Sequence, residues 1–407
     1  MKITTLVIKL IIIVNVTIIT FTIAQSTNIR CCHGSTIANN KLYIGGGITG
    51  PTDNNISSDD FFSLDLTVPF STSSPTDMPY EEHPNVLIKS NGHALVYAVG
   101  KEGEMIYLFG GFRGDPKGEL IYGYSLKFKQ WSEETPETPN GMPVGTTSKI
   151  VGVTDSNLNT IFIFDNGTMH IFDVFRNILY ISPDFAPYKI LNYAAVTLNT
   201  DEIAYIGGSN GTNNIPMNQI LLYNTKISTW YTRNANGRIP SPRQGHSASI
   251  APDGRIFVYG GFDGNDNATA SNESDPLFAV LEYVNGELTW STPQLFGQLY
   301  QFRIYHTSHV FENYLIIIFG QNLTHNRINT IDIIDISNRD IYNAVKDFVP
   351  PGYVPPTPQQ SASNKNIIIA SALGSVGLLI IIGCTFFLIR RYYRNRNVIP
   401  TPGEERI

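Results

Sequence analysis

The sequence predicts an all-β fold, a six-bladed β-propeller followed by one C-terminal transmembrane helix, and three observations carry that expectation. Apolar-aromatic runs ending in glycine recur along the chain. Short alternating segments follow each run in the same order, bounded by Gly, Asn, Asp and Pro, which is the pattern of strands and turns. Helical periodicity is confined to one apolar run near the C-terminus.

The chain opens with Lys2, Lys9 and an apolar stretch from Leu10 to Ile23 that closes on Ala24. That is the layout of a secretory signal peptide, so residues 1–24 are expected to be removed. The repeats occupy 25–348. "KLYIGG" ends at the pair Gly45 and Gly46, "MIYLFGG" at Gly110 and Gly111, "EIAYIGG" at Gly207 and Gly208, and "RIFVYGG" at Gly260 and Gly261. "LIIIFGQ" carries the single Gly320. The spacings are 65, 97, 53 and 59 residues, and "TIFIFDNGTMHIF" at 160–172, with its Asp-Asn-Gly hairpin turn, fills the long gap. Six units result, each of a length expected of a propeller blade. In each unit a first strand follows a histidine or its equivalent (His33, His93, His246, His306) and a second ends in glycine. A third alternates, as in "LIYGYSL", "QILLYNT" and "FAVLEYV", and a fourth begins near Trp131, Trp230 or Trp290. Phe70 stands near the tryptophan place of the first unit and Tyr342 at that of the last.

Residues 349–365, "VPPGYVPPTPQQSASNK", read as an extended proline-rich stalk. The uncharged run within 366–389 is long enough to span a bilayer of about 30 Å. Arg390, Arg391, Arg394 and Arg396 follow it at once, which places the tail 390–407 in the cytoplasm and the bulk of the chain outside. Ala370, Gly374 and Gly377 share a face of that helix and allow a homodimer through the span. Between the two terminal apolar segments 21 Lys and Arg stand against 32 Asp and Glu, a formal balance of −11. Such dispersed acidity argues against nucleic acid and anionic lipid surfaces as partners.

The ordered glycine pair, third-strand tyrosine and fourth-strand tryptophan resemble the kelch repeat, over roughly residues 29–348. The resemblance implies a propeller whose glycines and aromatics are structural and whose loops bind other proteins. The unit at about 146–190 departs from it, lacking both the glycine pair and the tryptophan. Galactose oxidase shares such blades, and a copper oxidase is therefore the enzymatic alternative. That family's metal site needs a ligand from a domain after the propeller, where this chain has only a stalk and an apolar run. No catalytic, metal or cofactor residue is assigned, and no cofactor is expected.

Gly45, Gly47 and Gly50 match G-x-G-x-x-G, but "PTDNNISSDD" follows instead of the helix a dinucleotide site requires. Cys31 and Cys32 are read as two thiols packed near the first inner strand, with a strained vicinal disulfide or an intermolecular bond as alternatives. Sequons stand at Asn55, Asn166, Asn210, Asn267, Asn272 and Asn322, all expected between a second and a third strand. Connections of that kind emerge on one face of a propeller, so one face would be ringed by glycans. The loops nominate Arg113, Asp115, Asp263 and Asp266 as candidate binding residues above a rigid scaffold. The expected role is a cell-surface glycoprotein whose propeller binds an extracellular protein or a cell-surface glycan without covalent chemistry, a polysaccharide-binding wall adhesin being a further alternative.

Overall fold

The computed structural model describes residues 29–50, 56–113, 120–139, 149–264, 272–299 and 302–355. The signal segment 1–24, most of the stalk, the apolar run 366–389 and the tail lie outside these residues, as do Asn55, Asp115, Asp266 and Asn267. Among the described residues no helix is long and apolar enough to cross a membrane.

Six four-stranded antiparallel meanders follow one another among the described residues. Meander 1 comprises Gly34–Ala38, Lys41–Gly45, Phe61–Asp65 and Tyr80–His83; meander 2 comprises Ala94–Gly100, Gly103–Phe109, Ile121–Ser125 and Gln130–Glu134. Meander 3 comprises Gly152–Thr154, Thr160–Asp165, Thr168–Asp173 and Ile178–Ile181, and meander 4 comprises Ala194–Thr197, Glu202–Ile206, Gln219–Asn224 and Thr229–Gly237. Meander 5 comprises Ser247–Ile250, Arg255–Tyr259, Phe278–Val284 and Glu287–Ser291, and meander 6 comprises Thr307–Phe311, Tyr314–Ile318, Ile331–Asp335 and Ile341–Val345. Asn166 and Gly167, with φ of 52° and 88°, make the tight hairpin of meander 3.

The first strands adjoin in the order 1-2-3-4-5-6-1. The second strands are buried on both faces, as in "IFVY" at 256–259, because each sheet is packed between two others. The apolar core accordingly divides into clusters that each bridge two consecutive meanders. Ile203, Tyr205 and Tyr223 meet Phe162 and Phe164 between meanders 3 and 4. Leu42, Ile44, Phe62 and Leu64 meet Ile316, Ile318 and Ile331 between meanders 1 and 6.

That last interface is latched from both ends of the chain. Asp347–Phe348 pairs with Phe70–Ser71, and the Phe70 and Phe348 rings stack at 4.8 Å. Arg30 N–H donates to Ile328, and Arg30 C=O accepts from Gly320 N–H. Phe70 therefore does not occupy the tryptophan place: the fourth strand of meander 1 is Tyr80–His83, and Phe70 lies in the long connection before it. The sequence pattern alone does not disclose this strand exchange, because the latching segments are each two residues long.

The glycine pairs share one geometry. The residues that end the second strands are followed by two left-handed positions, at Gly110 and Gly111, Gly207 and Gly208, and Gly260 and Gly261. In meander 1 these positions are Gly46 and Gly47, one place later than the Gly45 and Gly46 of the sequence alignment, and Gly45 is the last residue of its strand. In meander 6 they are Phe319 and Gly320. A methyl group on Gly260 would meet Arg303 C=O at 2.4 Å and the His306 ring at 2.8 Å, both from the next meander. Gly261 faces the entry to its own first strand, where a methyl would meet His246 Cβ at 2.7 Å. The pair is the point where two neighbouring meanders converge, which is why side chains are excluded there.

Candidate functional site

The six first strands enclose a central cavity of about 810 Å³. Because these strands are short and alternate polar with apolar residues, hydroxyls reach its wall: Ser35, Thr36, Ser247, Ser249, Thr307 and Ser308. Several are joined side to side. Ser35 Oγ donates to Thr307 Oγ1 at 2.6 Å and lies 2.7 Å from His309 Nε2, and the Ser249 and Ser308 hydroxyls are 2.7 Å apart.

Where the chain enters the first strands, backbone hydrogen bonds link five of the six neighbouring pairs of junctions around the axis. Cys32 N–H donates to Tyr305, Gly92 to Cys32, Ile150 to Gly92, Gly245 to Asn192, and Tyr305 to Gly245. Each of these junctions enters a first strand. Cys32, Gly92, Asn192, Gly245 and Tyr305 adopt left-handed φ between 52° and 68°, whereas Lys149 at the remaining junction does not.

Directly after these junctions lie the repeat histidines. His93 Nε2 pairs with Gly45 C=O at 3.1 Å, His306 Nε2 with Ser247 Oγ at 2.8 Å, and His33 Nε2 with Thr307 Oγ1 at 2.9 Å, each across a junction between meanders. Burial holds His93 down to about 4 and His246 down to about 3. The imidazoles are thus neutral, and His93 spends both ring nitrogens on the fold while His33 and His306 spend one each.

Three residues before three of these histidines stands a buried arginine. Arg30 Nη1 donates to Gly46 C=O and bonds the Asp60 carboxylate, Arg243 Nη1 donates to Gly260 C=O, and Arg303 Nη1 donates to Phe319 C=O while its Nη2 meets Asp332 at 2.5 Å. These guanidiniums satisfy the carbonyls at the glycine turns. The recurring R-x-x-H spacing at Arg30, Arg243 and Arg303 was a signal available in the sequence that glycine alignment passed over.

Cys31 and Cys32 are free thiols, as the packed-thiol reading expected. Cys32 Sγ donates to Cys31 Sγ at 3.2 Å, and Cys31 Sγ donates to Gln321 Oε1 at 3.0 Å. The bond from Cys32 lowers the Cys31 thiol and raises Cys32 itself. Among the described residues no group of three or more His, Cys, Asp or Glu side chains is arranged to hold a metal ion.

Antiparallel order places the 2–3 connections on the same face as the first-strand junctions, and the 1–2 and 3–4 turns on the opposite face. Asn166, Asn210, Asn272 and Asn322 all lie in 2–3 connections, and Asn55 and Asn267 fall in such connections by position in the chain. Of the nominated loop residues, Arg113 is turned back on its own loop, donating to Gly110 and Leu120 carbonyls with its guanidinium 5.7 Å from the Tyr122 ring. Asp263 is exposed and accepts from Asn214 Nδ2 at 3.2 Å. Trp131, Trp230 and Trp290 each donate Nε1–H to a backbone carbonyl of the preceding meander, at Pro84, Asp184 and Met217.

The opposite face carries a feature the sequence reading missed. Phe128, Phe175 and Ile227 in the 3–4 turns of three successive meanders, and Val284 at the end of the third strand of the next, are 60, 62, 68 and 57% exposed. Lys127, Lys129, Arg176 and Lys226 flank three of them. A large apolar residue recurring at the tip of a turn was visible in "LKFKQ", "DVFRN" and "NTKIS", but only the fold shows that these tips share a face.

Comparison with known proteins agrees with this architecture. A family described as "KLHDC2/KLHL20/DRC7 Kelch-repeats domain" matches residues 193–374. Leucine-zipper-like transcriptional regulator 1 homolog of Drosophila melanogaster is 26% identical over 159 residues, which are 39% of this chain and 15% of that protein. The match therefore spans a small part of the relative's length. The solved structure titled "Structure of YjhT" superposes with a TM-score of 0.57 at 15% identity, over 78% of this chain and 97% of that one. At that identity the likeness concerns the fold.

Proposed function

We propose a binding role for this chain, which is a kelch-repeat β-propeller protein: a six-bladed, non-catalytic module carried on the cell surface that docks a protein partner on the face opposite its sequons. The observation that carries this reading is the repeated apolar tip at Phe128, Phe175, Ile227 and Val284. Large apolar side chains held out by tight turns on a rigid sheet bury area at little conformational cost when a partner covers them. The opposite face is where the sequons fall, so glycans attached there would leave the tips open. The signal segment, the apolar run 366–389 and the arginines after it support a single-pass surface protein with the meanders outside.

The test compares the full-length chain with a Phe128→Ser, Phe175→Ser, Ile227→Ser variant in capture from the surface of the producing cell. Proteins held by the parent and lost by the variant support the reading, and an unchanged set overturns it. Glycopeptide mapping of the same material is expected to find occupied asparagines in the 2–3 connections, and unmodified sequons would remove the surface-glycoprotein part.

A further inference from the structure

We propose that Lys149 is the seat of a small oxyanion-bearing ligand, a carboxylate or a phosphate, held at the junction end of the central cavity. The inference does not depend on the docking face. Six chain junctions meet around the axis, and the other five are Cys32, Gly92, Asn192, Gly245 and Tyr305, so Lys149 is the one charged residue among them. It lines the cavity, and its ammonium lies 5.3 Å from the Tyr305 ring.

The surroundings supply positive charge and little to balance it. Arg327 faces the same two thiols, while His33, His246 and His306 are held low and uncharged first by burial, then by Arg30, Arg243 and Arg303, and then by Lys149. Among the described residues no carboxylate forms an ion pair with Lys149, and the groups that favour its charge are the two thiols. Cys31 as a thiol donates to Gln321 Oε1 at 3.0 Å. Lys149 is partly buried, and that burial pushes the lysine down, the direction expected of a cation removed from part of its water. An oxyanion would offset that loss, and the hydroxyls of Ser35, Ser247, Thr307 and Ser308 would accept or donate to the remainder of a polar ligand.

The contrast with the buried arginines that precede the repeat histidines sharpens the assignment. Arg30, Arg243 and Arg303 each spend donors on carbonyls of the fold, and two of them meet a carboxylate. Among the described residues Lys149 makes no ion pair with a carboxylate, and its charge is available to a ligand in the cavity.

The test measures thermal midpoint and the rate of Cys32 alkylation by a maleimide on the full-length chain. Sodium phosphate and sodium acetate are titrated separately against sodium chloride at constant ionic strength. The expected result is saturable stabilisation by one of the two anions, with slower alkylation, since an anion that neutralises Lys149 also withdraws its effect on the neighbouring thiol. Phosphate alone or acetate alone identifies the ligand class. Lys149→Gln should weaken the effect about tenfold or more, the scale of a charge-assisted hydrogen bond, whereas Lys149→Arg retains it. No saturation with either anion in the parent protein, or equal saturation in Lys149→Gln, overturns the proposal. The parent measurement decides even if the glutamine variant fails to fold.

Discussion

The two faces of the ring are built on opposite rules. On the face with the backbone junctions, glycines, histidines and arginines from neighbouring meanders meet within van der Waals distance, tied by bonds such as His93 Nε2 to Gly45 C=O and Arg243 Nη1 to Gly260 C=O. On the opposite face, two- to four-residue turns lift apolar tips into solvent. One face is packed across the junctions, and the other exposes large apolar side chains. The difference shows that each repeat carries a structural constraint at one end of its strands and a solvent-exposed apolar residue at the other in four of the meanders.

Substitutions at the latch and on the tips should separate the two faces most widely. Phe348→Ala removes a fully buried ring from the interface that closes meander 6 onto meander 1, and should cost about 3–5 kcal/mol in urea unfolding. A loss near zero would mean that the ring is closed without the latch. Gly260→Ala imposes a left-handed alanine and a 2.4 Å approach to Arg303 C=O, and roughly 2 kcal/mol or more should be lost by the same assay.

The histidines make the packed face sensitive to acid. His93 and His246 are held at about 4 and about 3 when folded, against a value near 6.5 in an unfolded chain. The unfolded state therefore binds more protons below pH 6.5, and stability falls as pH drops from there toward the folded values. Each group should contribute a loss of about 2 kcal/mol between pH 7 and 5. Replacing His93 by Gln should flatten that slope measurably, and an unchanged slope would assign the acid sensitivity elsewhere.

Smaller effects are expected from the inter-meander ties and least from the tips. Trp290→Phe loses the 2.7 Å bond to Met217 C=O and should cost about 1–2 kcal/mol. Phe128→Ser and Phe175→Ser should change stability by less than about 0.5 kcal/mol while abolishing partner capture. A large stability loss there would make the tips part of the fold and remove the docking reading.

Much of the architecture was legible in sequence because its constraints are local and repeated. Alternation within "LIYGYSL" and "QILLYNT", the hairpin at Asn166-Gly167 and the tryptophans near 131, 230 and 290 each report their own strand, and the structure places strands at those positions. The glycine pair was legible as a pair, but its register in the first unit was ambiguous, since "GGG" at 45–47 offers two pairs and only φ distinguishes them. Arg113 is nominated from sequence as the one arginine of those loops, and what sequence does not disclose is that its guanidinium donates to the Gly110 and Leu120 carbonyls.

Sequence by itself determined the strands, their order and the repeated junctions, because alternation and turn chemistry act over a few residues. Only the tertiary structure decided which junctions meet. Lys149 is unremarkable in "TTSKIVG" until six chain junctions converge on one axis, and Phe70 is an ordinary loop aromatic until Phe348 arrives beside it from the far end of the chain. The physical reason is that ring closure brings together residues hundreds of positions apart, and the charge balance and packing at such a point belong to no local segment.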